Sequence, residues 1–146
     1  MNKEEKMREI KEAIIAGRRA MSSLQQAEDY LSSAGNWGLF DLFGGGFFSG
    51  MIKHSKINDA QQEMEDARYQ LRIFQKELRD IDVPMEFRID IGEFLKFADF
   101  FFDGFIADWM VQSKIREAEK QIFEAKQRVQ VILNDLNSWE NQLLSD

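Results

Sequence analysis

The sequence predicts an all-α protein, built as an elongated antiparallel three-helix bundle with coiled-coil packing and an internal duplication. Three observations predict it. Apolar residues recur at alternating spacings of three and four in three long segments. Pro84 is the single proline, so long helices are unobstructed on either side of it. A stretch beginning at Asp41 returns at Asp99, an offset of 58 residues.

The first helix is expected over about residues 3–34. Its apolar stripe is Met7, Ile10, Ile14, Gly17, Met21, Leu24 and Leu31, with Glu28 interrupting. "AGNWGLFDLFGGG" then predicts a glycine and aromatic turn over 35–46, because glycine admits positive φ and close backbone approach. The second helix is expected at 47–81, with Ile57, Ala60, Met64, Ala67, Leu71, Phe74, Leu78 and Ile81 on its seam. At 1.5 Å per residue it is ~52 Å long, longer than an ordinary globular helix. A connector over 82–103 follows Pro84. Phe87, Ile89 and Ile91 alternate with Arg88 and Asp90, which predicts a short extended stretch. The third helix is expected at 104–144, through Ile115, Ala118, Ile122, Ala125, Val129, Ile132, Leu136, Trp139 and Leu143. Residues between these stripes are mainly Glu, Lys, Arg, Gln and Asp, as solvated faces require.

The duplication joins about 41–78 to 99–136. "DLFGGGFFSGMIKHSKINDA" lies over "DFFFDGFIADWMVQSKIREA", pairing Asp41/Asp99, Gly46/Gly104, Phe47/Phe105, Ser55/Ser113, Lys56/Lys114, Ile57/Ile115 and Ala60/Ala118. The heptads beyond stay in register, with Ala67 over Ala125. Two halves related by a pseudo-twofold axis are the expected outcome. An up-down-up path is expected for the three helices, because short connections are the commoner choice.

The 146 residues suit a single domain over 1–146. The net charge of −7 arises wholly beyond residue 34, since the first 34 residues carry six acids and six bases. Nucleic acid is repelled on average by that charge, and an anionic membrane surface is too. The absence of cysteine excludes disulfides, thiol catalysis and cysteine-ligated metal. The opening residues have no apolar core of signal-peptide length, and Lys96, Asp99, Asp103 and Asp108 interrupt the most apolar region. A cytoplasmic location is the resulting expectation.

Two motifs stand out: Trp37, Gly38, Asp41, Gly44, Gly45, Gly46, Lys53, His54, Ser55 and Ile57, then Phe101, Phe102, Asp103, Gly104, Asp108 and Trp109. Through them about half of the chain resembles a group of uncharacterised bacterial helical proteins. That group shares W-G-x-x-D-x-x-G-G-G followed by K-H-S, and later F-F-D-G-x-x-x-D-W. The resemblance implies a helical fold and no reaction.

The chemistry-bearing candidates are few. Neither G-x4-G-K-[ST] nor GxGxxG occurs, so no nucleotide cradle and no cofactor are expected. His54 is the only histidine; with Asp41, Asp103, Asp108 and Asp99 it forms the one candidate set for an oxygen-preferring divalent cation. The repeat places Gln112 opposite His54, so a symmetric two-histidine site is impossible within one chain. Asp41 and Asp103 also suit turns and helix caps. Lys53 and Asp108 fall on extended seam positions, where a parallel layout would let them pair.

The aromatics Trp37, Phe40, Phe43, Phe47, Phe48, Phe101, Phe102 and Trp109 suit a capping mini-core, or an exposed patch for a partner protein or second subunit. The expected function is non-enzymatic: interaction or scaffolding through coiled-coil helices and aromatic ends, binding a partner or itself as a homodimer. The alternative is a metal-binding protein or metal-dependent enzyme around His54.

Overall fold

A computed structural model describes the backbone at residues 2–44, 47–104 and 115–145, and the side chains at 2–32, 62–101 and 118–145. Four helices make up the described chain: α1 (Lys3–Gly44), α2 (Phe47–Asp80), α3 (Met85–Gly104) and α4 (Ile115–Ser145). The all-helical expectation is met. α1 starts where Asn2 caps it, its Oδ1 accepting the Glu5 amide at 2.8 Å and its carbonyl accepting Lys6 N at 3.0 Å. Glu4 and Glu5 favour the positive end of the helix dipole.

Two boundaries differ from the sequence reading. The helix expected to stop near residue 34 continues to Gly44. Glycine inside a helix costs about 1 kcal/mol per position, whereas proline breaks it, so Gly35 and Gly38 weaken α1 without ending it. The expected connector over 82–103 is mostly α3. Its buried residues are Phe87, Ile91, Phe94, Phe97, Ala98 and Phe101, a helical spacing. The alternation at Phe87, Ile89 and Ile91 is local, because Ile89 is 73% exposed while its two neighbours are buried. Ile81 and Val83 anchor the intervening turn in the core, and Arg88 Nε donates to the Val83 carbonyl at 3.1 Å.

α1 packs along both α2 and α4, and α3 packs on both of these. One layer joins all four helices. A Cβ built on Gly17 of α1 would lie 2.6 Å from Leu133 Cδ2 of α4 and 2.9 Å from Phe74 Cε1 of α2. The Phe74 ring also meets Phe94 of α3, with centroids 5.4 Å apart. Gly17 supplies the space that Phe74 and Leu133 fill. Being packed by two helices, α1 buries Ala13, Ala16, Ala20 and Ala27 beside Ile10, Leu24 and Leu31. Small residues on that wider face let two neighbours approach it closely.

The contacts fix the helix directions. Gly17 meets Leu133, and farther along α1 Glu28 meets Lys126, so α1 and α4 are antiparallel. Gly17 lies 27 residues before the end of α1, and Phe74 lies 27 after the start of α2, as an antiparallel hairpin requires. Hence α2 and α4 run parallel. The expected up-down-up path is corrected here: α3 carries the chain back between the two, so the last long helix repeats the direction of α2. The buried residues of α2 are Met64, Ala67, Leu71, Phe74, Gln75, Leu78 and Ile81. Those at the 58-residue offset in α4 are Ile122, Ala125, Val129, Ile132, Leu133, Leu136 and Trp139, and each is buried.

Candidate functional site

Most residues that drew attention in the sequence lie outside the described side chains. Trp37, Phe40, Asp41 and Phe43 are on the backbone of α1, and Phe47, Phe48, Lys53 and His54 are on α2. Phe102 and Asp103 are in the last turn of α3. Asp108 and Trp109 fall outside the described residues altogether. Because α2 and α4 are parallel, the segments leading into them enter at the same end of the bundle.

Phe101 and Asp99 are described, and neither is free for a ligand. Phe101 is buried and stacks obliquely on Phe97, with centroids 6.0 Å apart. Asp99 ties α3 to α2. It accepts Gln75 Nε2 at 2.7 Å and Arg79 Nη2 at 3.2 Å. Gln75 is the buried polar side chain of the described core, so its amide needs this acceptor.

Three polar arrangements were not anticipated. Glu28, which interrupts the first stripe, pairs with Lys126 across the α1–α4 contact at 3.3 Å, and Lys126 also donates to Gln25 Oε1. Arg128 sits 4.6 Å from the centre of the Phe97 ring and pairs with Glu124 at 3.2 Å. Asp135 faces Asp90 and Glu86 across the α3–α4 contact. Desolvation, a hydrogen bond to Asp90 and repulsion from Asp90 and Glu86 push its carboxyl from 3.8 up to about 6. No sequence signal marked this pair, because it needs α3 to be a helix.

Among the described residues, no group of three or more His, Cys, Asp or Glu side chains is arranged to hold a metal ion. Nor is any described helix long and apolar enough to cross a membrane.

What the described surface does display is apolar. Met85 is 78% exposed, Ile89 73% and Phe100 66%, all on α3. At 100° per residue these positions fall within one narrow stripe, opposite the buried Phe87, Ile91, Phe94, Ala98 and Phe101. Phe123 and Val131 form a smaller exposed pair on α4. Compared with protein families, curated proteins and solved structures, the chain matches none.

Proposed function

We propose that this chain is a non-enzymatic interaction or scaffold protein that binds a protein partner or itself. The observation that carries this reading is α3, apolar on two opposite faces, only one of which meets the core. A helix that is apolar all round belongs in an interior, so its outer face is suited to cover by protein. The motif aromatics at Trp37, Phe40, Phe43, Phe47, Phe48, Phe102 and Trp109 extend the same reading, and a cytoplasmic location fits the absence of cysteine. The resemblance to uncharacterised bacterial helical proteins is consistent with it.

The architecture proposed is a long-helix core of α1, α2 and α4, with 41–78 and 99–136 as duplicated copies. The shared burial set of α2 and α4 supports duplication, since Gln75 and Leu133 coincide outside the three-four seam. The likeness does not extend into the earlier part of α1. Ala27 and Leu31 are buried there, whereas their counterparts Met85 and Ile89 are exposed.

Elemental analysis of the purified full chain tests the function. A preparation with less than about a tenth of an equivalent of divalent metal agrees with the interaction reading. Stoichiometric metal that His54→Ala abolishes, with helix content unchanged, would replace it by a metal site around His54, Asp41 and Asp103.

A further inference from the structure

The outward stripe of α3 contains more than apolar residues. Running along it are Met85, Ile89, Gly92, Lys96 and Phe100, at spacings of four, three, four and four. Gly92 faces open space, with nothing within 4 Å of a Cβ built there. Charges flank the stripe in a definite order. Glu86 and Glu93 lie along one edge, and Arg88 and Asp99 along the other. All four are exposed, as is Lys96 at the centre.

We propose that a second copy of the chain covers this face, with α3 packed antiparallel on α3 of its partner about a twofold axis near Gly92 and Glu93. The inference rests on the interaction reading and names its occupant. In this register Met85 opposes Phe100 of the partner subunit, and Ile89 opposes Lys96 of the partner subunit. Lys96 then lies between Glu86 and Glu93 of the partner subunit, each about 5 Å away along the axis at 1.5 Å per residue. On the other edge Arg88 comes beside Asp99 of the partner subunit. Positive groups thus meet negative ones on both edges, and the thioether and two rings close the ends. A parallel pairing would instead set Lys96 against Lys96 and remove both charge matches. An antiparallel twofold contact is isologous, so it closes as a dimer and leaves no face for further growth.

The full chain is the material for the test. Light scattering is expected to give twice the chain mass of 17.1 kDa. Ile89→Glu puts a carboxylate beside Glu86 and Glu93 at the contact, and should weaken association at least about tenfold. Because Ile89 is 73% exposed, the far-ultraviolet spectrum and unfolding midpoint of the monomer should not change. The chain has no cysteine, so introduced thiols report geometry alone. A mixture of Met85→Cys and Phe100→Cys chains, allowed to exchange and then mildly oxidised, is expected to cross-link between the two variants rather than within either.

A monomeric wild type, or a dimer that withstands Ile89→Glu, overturns the proposal. So does preferential self-cross-linking of each variant. A dimer surviving Ile89→Glu defeats this contact while leaving the interaction reading intact; stoichiometric metal defeats that reading independently of the mass.

Discussion

Two glycines in helices have opposite consequences. At Gly17 any side chain collides with Phe74 and Leu133, both buried. Alanine gains up to about 1 kcal/mol of helix propensity there, but overpacking costs about 1–3 kcal/mol, so Gly17→Ala should lower stability by about 1 kcal/mol. At Gly92 nothing opposes the added methyl, so Gly92→Ala should raise stability by about 0.5–1 kcal/mol. Denaturant unfolding checks both, with Ile89→Glu also present so that association does not enter.

Asp99→Ala is expected to cost about 1–2 kcal/mol, because it leaves the buried Gln75 amide without its acceptor. Asp135 has a pH signature. Its folded-state value of about 6 is above the ordinary 3.8, so the protonated carboxyl favours the fold. That contribution is complete below about pH 3.8 and is lost as pH rises through about 6. Asp135→Asn should therefore flatten the stability profile between pH 4 and 7. It should also make the protein more stable than wild type at pH 7, by denaturant titration at each pH.

Among the elements, the legible ones were those with a long, one-sided stripe. The seams of α2 and α4 were readable residue by residue, since Met64 to Ile81 and Ile122 to Trp139 all face one neighbouring core. In α1 the seam was readable but its width was not. Ala13, Ala16 and Ala20 are buried because α1 serves two partners, and alanine carries little periodic signal of its own. α3 was misread because it is apolar on both sides. Phe87, Ile89 and Ile91 alternate over five residues, while only the longer run through Phe94 and Phe101 displays the helical period. Glycines after residue 34 were read as a stop, though they only weaken a helix that proline would have broken. The candidate site around His54 rested on residue type alone. The ties made by Asp99 and Asp135 needed the packing of α3 before they could be found.

For the whole molecule, the path of the chain decides what the repeat means. Because α3 returns the chain, α2 and α4 approach α1 from two sides in the same direction and at the same level, with Phe74 and Leu133 meeting at Gly17. A duplicated helix can then present one burial pattern twice to a single central helix. The arrangement also turns α3 outward and gives the molecule its apolar stripe.

The parallel relation of α2 and α4 is therefore the central claim. Spin labels on cysteines introduced in pairs test it most directly, in a chain with no cysteine of its own. Residues 62 and 76 of α2, with 120 and 134 of α4, are exposed positions at the 58-residue offset. Fourteen residues along a helix span ~21 Å. The fold predicts equal distances for 62–120 and 76–134, and longer ones for 62–134 and 76–120. Shorter distances for the crossed pairs would make the helices antiparallel and contradict it.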